Sequence, residues 1–221
     1  MSSLPSFSLH HIVLEPERQT ETRHPTVIML HGLGADEHDL AGLASSLDPR
    51  ILTISVRAPF TLEWGGYTWY HFEQSGKPDP VRFPQSYERL SAFIAEALAH
   101  YPINPQQLYL LGFSMGTVMA LSLALTQPHL FRGVMANSGY QPEATHLHYR
   151  WNELRGKRFY VAHGVYDQII PVQASRILHT KLEQAGARVD YHEFLMAHEI
   201  SEESLRAMAR WLYACIEETS D

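Results

Sequence analysis

Residues 108–125, LYLLGFSMGTVMALSLAL, join what reads as a short buried strand to a long buried helix. Between them lies Ser114, with Gly112 and Gly116 two positions to either side. A sharp strand-to-helix turn presents the serine clear of the sheet, and the glycines remove side chains that would collide with the helix and the adjacent strand. The stretch predicts a sheet covered by a helix, with Ser114 as a candidate nucleophile. The alternative is a tight turn with a solvent-facing serine.

Short apolar runs alternate with amphipathic stretches along the chain. Strands are predicted at Phe7–Leu14, Thr26–Leu30, Ile51–Val56, Gln107–Gly112, Gly133–Asn137, Arg158–His163 and Arg188–Leu195. Further helical patterns run from Tyr87 to Tyr101, from Ile177 to a stop at Gly186, and from Leu205 to Ile216. This alternation predicts an α/β fold with a mostly parallel sheet of about seven strands and helices on both faces, formed by a single domain over residues 1–221.

Composition narrows the class of protein. Hydrophobic residues make up 45% of the chain and charged residues 19%, which suits a globular domain with a core. The formal net charge is −7 and no Lys/Arg run occurs, so no nucleic-acid partner is expected. Residues 1–17 lack the pattern of a signal peptide or membrane span, and the lone Cys215 cannot form an internal disulfide. We therefore expect a cytoplasmic protein without membrane insertion.

A serine nucleophile needs a base, and the base needs an orienting group. In this architecture an acid and then a histidine should follow the serine, each just past the end of a later strand. Asp167 follows the strand that ends at His163, and His198 follows the strand that ends near Leu195. Asp167 could instead only accept loop hydrogen bonds, and His198 could be an ordinary residue at a helix start. Three further residues are weaker alternatives because they lie within a strand pattern: Asp190, His192 and Glu193.

A second glycine-rich turn follows the early strand TVIML, in the sequence HGLGAD of residues 31–36. Glycines there would let a backbone N–H approach a reacting carbonyl, although an ordinary glycine-rich turn is equally compatible with the pattern. Four residues in this region could suggest a metal site: His31, Asp36, His38 and Asp39. They lack the spacing of known ligand sets, so neither a metal nor another cofactor is expected.

Residues 58–83 show neither the strand nor the helix period, and they carry many aromatic side chains among prolines and glycines. A loop this long inside a compact domain is usually functional or disordered, and the aromatics argue against disorder. We expect this aromatic loop to be functional, with Trp64, Trp69 and Phe72 lining a pocket and Trp69 and Phe72 binding substrate. The alternative is a loop that packs on itself as a small satellite core.

Taken together, six motifs resemble those of the phospholipase/carboxylesterase family of small α/β-hydrolases, which includes acyl-protein thioesterases. They are HGLGAD at 31–36, RAP at 57–59, GGYTWY at 65–70, GFSMG at 112–116, HGVYDQIIP at 163–171 and AHEI at 197–200. The resemblance covers the chain from about Thr26 to the last helix. It implies an α/β-hydrolase fold and a catalytic triad of Ser114, Asp167 and His198. It also implies that the backbone N–H groups of Leu33 and Met115 form the oxyanion hole. The aromatic loop of residues 58–83 resembles the loop that lies over the acyl site in this family.

The chain departs from the thioesterase branch, which usually reads GFSQGG, because Met115 and Thr117 replace the glutamine and the last glycine. Ala197 also stands where a glycine often precedes the histidine. These departures favour a serine carboxylesterase acting on short- to medium-chain esters, with a small acyl ester as its partner. The alternatives are a lysophospholipase or acyl thioesterase, and a non-catalytic ligand-binding protein on the same fold. The assembly state is left open, with a homodimer among the alternatives.

Overall fold

The computed structural model describes residues 7–18, 21–74, 77–142 and 145–218. The strands are β1 (His11–Leu14), β2 (His24–Leu30), β3 (Leu52–Val56), β4 (Phe60–Thr61), β5 (Tyr67–Thr68), β6 (Phe72–Gln74), β7 (Lys77–Pro78), β8 (Ile103–Phe113), β9 (Gly133–Asn137), β10 (Arg158–Gly164) and β11 (Arg188–Phe194). The α-helices are α1 (Arg82–His100), α2 (Met115–Thr126), α3 (Gln173–Gln184) and α4 (Glu202–Glu217). Short 3₁₀ helices cover Leu40–Ser46, Pro128–Leu130 and Trp151–Glu153.

Seven strands form the main sheet, in the order β1-β3-β2-β8-β9-β10-β11. Strand β1 runs antiparallel to β3 at one edge, whereas every other neighbouring pair is parallel. The central position of β8 places the turn into α2 in the middle of the carboxyl edge, where parallel sheets build their sites. The predicted fold class, an α/β-hydrolase sheet with helices, is confirmed.

Successive side chains of a strand point to opposite faces of the sheet, so alternate residues pack into two separate hydrophobic cores. On β2, Ile28 and Leu30 pack into the core formed with helices α1, α2 and α3. Val27 and Met29 point to the opposite face and pack with α4 and the 3₁₀ helix that begins at Leu40. Every residue of α2 is buried, which explains why that helix is apolar all round. Within the described residues, no helix combines the length and apolarity needed to cross a membrane.

The aromatic segment is more ordered than its sequence suggested. It contains two short antiparallel hairpins, β4 with β5 and β6 with β7. The turn of the first hairpin holds Gly65 and Gly66 with φ of +99° and +73°, a backbone region that other residues rarely adopt. Helix α1 then starts at Arg82, five residues before the predicted Tyr87, because the Asp79 carboxylate accepts the N–H groups of Val81 and Arg82 at 2.9 and 2.7 Å.

Candidate active site

The turn between β8 and α2 holds Ser114 in a strained conformation, with φ of 54° and ψ of −118°. A Cβ atom at Gly112 would overlap the backbone of Thr117, and one at Gly116 would overlap the carbonyl oxygen of Leu30. Both glycines are therefore sterically required for so tight a turn. The turn lifts the Ser114 hydroxyl above the carboxyl edge of the sheet and points the start of α2 at the same space.

His198 connects the serine to an acid. Its Nε2 lies 2.9 Å from Ser114 Oγ, and its Nδ1 lies 2.7 Å from Asp167 Oδ2. The loops after β10 and β11 approach closely enough to allow this contact because Gly164 has no side chain: a Cβ there would overlap the carbonyls of Met196 and Ala197. The structure thus brings the three residues predicted from strand ends into one hydrogen-bonded chain with the nucleophile–base–acid order.

Asp167 is held as an anion. Burial works to raise the pKa of its carboxyl, but the hydrogen bond with His198 and the backbone N–H groups of Ile170 and Ile169 outweigh burial, so the pKa lies below its ordinary value. Those two N–H groups donate to Oδ1 at 2.9 Å each. Oδ2 therefore remains directed at the imidazole. A buried carboxylate in this position fixes the histidine tautomer and favours the imidazolium that forms when the serine is deprotonated.

A second buried histidine, His163, lies against the same carboxylate. Its Nε2 is 3.2 Å from Asp167 Oδ2 and 2.8 Å from the carbonyl oxygen of Ile170, which fixes that nitrogen as a donor. Burial lowers the pKa of His163, so the ring is neutral near pH 7. His163 opens the HGVYDQIIP motif, but no role was predicted for it from the sequence.

The glycine-rich turn after β2 faces the serine, and its backbone is fixed by His31. The His31 ring is buried, its Nδ1 donates to the carbonyl oxygen of Gly32 at 2.7 Å, and its Nε2 accepts the N–H of Ala58 at 3.0 Å. Among the hydrogen bonds of the described residues, none uses the N–H of Leu33 or of Met115. Both groups are thus free to donate to a negatively charged oxygen beside Ser114.

The aromatic segment contacts the glycine-rich turn of residues 31–36, which is called the oxyanion turn below after its predicted role. The N–H of Gly34 donates to the carbonyl of Tyr67 at 2.9 Å, and the N–H of Tyr67 donates to the carbonyl of Ala35 at 3.0 Å. The indole Nε1 of Trp69 donates to the carbonyl of His31 at 3.0 Å. Because three non-local hydrogen bonds join the two stretches, residues 65–70 act as a brace for the oxyanion turn.

An ion pair also joins the aromatic segment to the region of the oxyanion turn. Arg57 of the RAP motif donates through Nε to the buried Glu37 carboxylate at 2.5 Å and lies 4.5 Å above the ring of Tyr67. The hydrogen bond from Arg57 lowers the pKa of Glu37 to about 2, even though burial opposes the shift. One arginine therefore links the residues that follow the oxyanion turn to the aromatic segment.

A cavity of about 930 Å³ opens at the serine, which is within the range of small-molecule sites. Ser114, His198, Leu33 and Met115 form one part of its wall. The remainder is largely apolar and includes Phe72, Phe113, Ile169, Ile170, Pro171, Ala174, Ile177 and Leu178, together with Tyr70, Tyr140, Gln141 and Lys181.

Of the aromatic side chains expected to line this cavity, Phe72 does so and two others do not. Trp69 is fully buried in the main core beneath the oxyanion turn, so its assignment as a substrate-binding residue is corrected to a bracing one. Trp64 is 77% exposed and lies outside the cavity wall. Trp69 was misassigned because the sequence shows that an aromatic loop is present but not which of its rings turn inward.

A sequence model of the family described as Phospholipase/Carboxylesterase matches residues 11–216. The chain belongs to this family. Among curated relatives, the putative hydrolase MhqD of Bacillus subtilis is 23% identical over 86% of this chain and 93% of its own length. Acyl-protein thioesterase 1 of Candida albicans is 26% identical over 86% of this chain and 92% of its own.

Two solved carboxylesterase structures have the same fold. The carboxylesterase of Bacillus cereus superposes with a TM-score of 0.82 at 24% identity, covering 94% of each chain. The carboxylesterase of Mesorhizobium loti superposes with a TM-score of 0.83 at 22% identity, covering 95% of this chain and 97% of that one.

The alternative acid and base candidates have other partners. His192 lies 2.9 Å from Asp190, and Glu193 pairs with Arg176 at 2.7 Å, all on or beside β11. Within the part of the chain that the structure describes, no three His, Cys, Asp or Glu side chains converge as a metal site. In the HGLGAD region, His38 instead pairs with Glu37 at 3.3 Å.

Proposed function

We propose that this member of the carboxylesterase family hydrolyses short- to medium-chain carboxylic esters through an acyl-enzyme on Ser114. The observation that carries the proposal is the continuous hydrogen-bonded chain from Ser114 through His198 to Asp167 at the mouth of a largely apolar cavity. A non-catalytic binding protein would have no need of this chain or of a strained serine.

In the proposed acylation step, His198 Nε2 takes the proton of the Ser114 hydroxyl as its oxygen attacks the ester carbonyl. The carbonyl oxygen gains negative charge and receives hydrogen bonds from the N–H groups of Leu33 and Met115, the latter at the positive end of α2. The Asp167 carboxylate stabilises the imidazolium. His198 then returns the proton to the leaving alkoxide, and the acyl group stays on Ser114.

Deacylation repeats the same steps with water in place of serine. His198 removes a proton from the water, whose oxygen attacks the acyl carbonyl, and then protonates Ser114 as the bond to the acyl group breaks. The products are a carboxylic acid and an alcohol. The cycle needs no cofactor, because the chain's own groups supply the nucleophile, the base and the anion donors.

The apolar wall of the cavity supports the proposal that the substrate carries an acyl group of short to medium length. Phe72, Ile177 and Leu178 offer an apolar wall to an alkyl chain. Thioester hydrolysis is the second candidate, and the relative named as an acyl-protein thioesterase favours it. We also propose that residues 1–221 work as one domain in a reducing compartment such as the cytoplasm, since Cys215, the single cysteine of the chain, is buried within α4 and cannot form an internal disulfide.

Labelling with a fluorophosphonate probe tests the assignment. The wild-type protein should take one label per chain and hydrolyse p-nitrophenyl butyrate, and Ser114→Ala should lose both while its melting temperature stays close to that of the wild type. Asp167→Asn should lose about 10⁴-fold in kcat, as expected for a triad acid. Peptide mapping that places the label on Ser138, which also has a positive φ, would contradict the assignment.

A further inference from the structure

His163 lies between the sheet and the loop that carries Asp167. It belongs to β10, and its side chain is completely buried. Burial lowers the pKa of His163, so the neutral ring carries one proton. Nε2 faces two acceptor oxygens, whereas Nδ1 is buried and has no hydrogen-bond partner among the residues that the structure describes. The proton therefore belongs on Nε2, which makes that nitrogen a donor.

The carbonyl of Ile170 is held by this ring. The Nε2–H of His163 donates to that oxygen at 2.8 Å, and within the described part of the chain no other donor is hydrogen-bonded to it. The next residue is Pro171, whose ring fixes its own φ and which has no N–H to donate. His163 therefore ties the end of the loop of residues 167–170 to the sheet.

The same loop holds the Asp167 carboxylate. Its Oδ1 accepts the N–H groups of Ile169 and Ile170, and its Oδ2 lies 2.7 Å from His198 Nδ1 and 3.2 Å from His163 Nε2. Ile170 is thus restrained twice, at its N–H by the carboxylate and at its carbonyl by His163. The His163 ring therefore contacts both the carboxylate and the loop that supplies donors to its other oxygen.

We propose that His163 is a positioning residue: by holding the Ile170 carbonyl beside Asp167 Oδ2, its Nε2–H keeps the carboxylate aligned with His198 Nδ1. This inference rests on the proposed function, in which Asp167 fixes the tautomer of His198. His163 acts through Asp167, because the wall of the cavity, as far as the structure describes it, does not include His163. A displacement of about 1 Å in a catalytic constellation can reduce the rate by about 10²-fold.

Substitutions at position 163 separate the hydrogen bond from the volume of the ring. His163→Phe keeps a flat ring but has no donor, whereas His163→Gln keeps an amide donor near the position of Nε2. With p-nitrophenyl butyrate, kcat should fall by about 10- to 100-fold in His163→Phe and by clearly less in His163→Gln. His163→Leu replaces the Phe variant as the donor-free protein if the larger ring prevents folding. Equal kcat in the folded donor-free and Gln variants would overturn the proposal.

A second buried histidine controls for a general loss of stability. His24 is the first residue of β2, so it lies at the edge of the sheet opposite to the turn that carries Ser114. His24→Ala removes buried atoms and should lower the melting temperature, while kcat stays near the wild-type value. If kcat falls as far in His24→Ala as in the donor-free variant, the loss reflects destabilisation of the fold, and the positioning role is wrong.

The tautomer of His198 reports the positioning role without any substrate. In protein labelled with ¹⁵N-histidine, NMR at about pH 8, above the ordinary histidine pKa, shows which ring nitrogen carries the proton, and His198→Ala assigns the signal. The wild-type and His163→Gln proteins should hold the proton on Nδ1, as a bond to Asp167 requires. The donor-free variant should show a mixture of the two tautomers, and an unchanged Nδ1–H tautomer in that variant would overturn the proposal.

The NMR measurement also separates this inference from the proposed function. If the wild-type protein neither takes the fluorophosphonate label nor hydrolyses any ester, the proposed function fails. The His198 tautomer in the wild-type, Gln and donor-free proteins still decides whether His163 positions the Asp167 carboxylate. If instead the wild-type protein is an active esterase and the tautomer is the same in all three proteins, the proposed function stands and the role of His163 is rejected.

Discussion

At the scale of single residues, His31 restrains the oxyanion turn through its ring and through its backbone carbonyl. Its ring donates to the carbonyl of Gly32, and that carbonyl shares one planar peptide group with the N–H of Leu33. Holding the oxygen therefore fixes the direction of the N–H on the other side of the same bond. The carbonyl of His31 itself is held by Trp69, so both peptide groups before Leu33 are restrained.

The two ring nitrogens of His31 can be replaced one at a time. His31→Asn keeps a short amide donor near the carbonyl of Gly32, whereas His31→Gln places an amide oxygen where Ala58 donates and loses the donor to Gly32. We expect kcat to fall by about 10- to 100-fold in His31→Gln, approaching the loss of one oxyanion contact, and by clearly less in His31→Asn. Steady-state kinetics on p-nitrophenyl butyrate should show little change in KM. Equal kcat in the two variants would mean that the peptide orientation does not depend on this bond.

Met115 is expected to act through its backbone. Its side chain is buried, and its sulfur accepts a hydrogen bond from the Thr68 hydroxyl at 3.3 Å, which ties it to the aromatic segment. Met115→Gln can replace that acceptor with an amide oxygen and should retain activity within about tenfold. Met115→Pro removes the N–H and should cost at least about 10²-fold in kcat. Circular dichroism and melting must show that both variants fold. A folded Gln variant as inactive as the Pro variant would show that the methionine side chain shapes the site.

At the scale of elements, the positions of Ser114, Asp167 and His198 could be predicted from the sequence because each residue follows a strand. Parallel strands bring their carboxyl ends to one edge of the sheet. The role of Trp69 could not be predicted from the sequence. Its hydrogen bond to His31 and that of Gly34 to Tyr67 join stretches about 35 residues apart with no periodic pattern. The two-residue strands of the first hairpin were missed for the same reason, since a period cannot be recognised over so few residues.

The bracing role of residues 65–70 predicts how two aromatic variants differ. Trp69→Phe keeps a core ring but removes the indole donor to His31, so kcat should fall by a similar factor for acetyl, butyryl and octanoyl esters, with a lower melting temperature. Phe72→Ala changes a 45% exposed ring on the cavity wall and should instead alter the ranking of the three esters. Rates of hydrolysis of the acetyl, butyryl and octanoyl p-nitrophenyl esters measure the effect of each variant. If Trp69→Phe changed the order of the three ester rates without lowering the melting temperature, Trp69 would have to be assigned to the acyl pocket.

At the scale of the whole molecule, buried histidines link folding to pH. His31 lies on the carboxyl edge after β2, and His163 lies in β10 near Asp167, and both rings are almost completely inaccessible to solvent. Burial lowers the pKa of each ring below the ordinary value of 6.5, despite hydrogen bonds that partly oppose it. Both histidines must therefore be neutral in the native state, and the free energy of unfolding becomes sensitive to mild acid.

The direction of this pH dependence follows from proton binding. Below about pH 6.5 the unfolded chain takes up protons at these two positions more readily than the native state, whose pKa values are lower. The unfolded state therefore binds more protons, and the free energy of unfolding falls as the pH falls. Above that pH both states hold neutral rings, and the histidine contribution is fully present. We expect the melting temperature to be nearly constant between about pH 8 and 7 and to decline from about pH 6.5 towards 5.

Scanning calorimetry over this range, combined with two variants, measures the histidine contribution. His163→Gln removes one titrating ring while keeping an amide donor near the position from which Nε2 donates to the carbonyl of Ile170, so its melting temperature should fall less steeply with acid than that of the wild type. His148→Gln removes an exposed histidine and should leave the slope unchanged. A melting temperature that is flat down to about pH 5, or a wild-type slope in His163→Gln, would show that buried histidines do not control the acid stability of this fold.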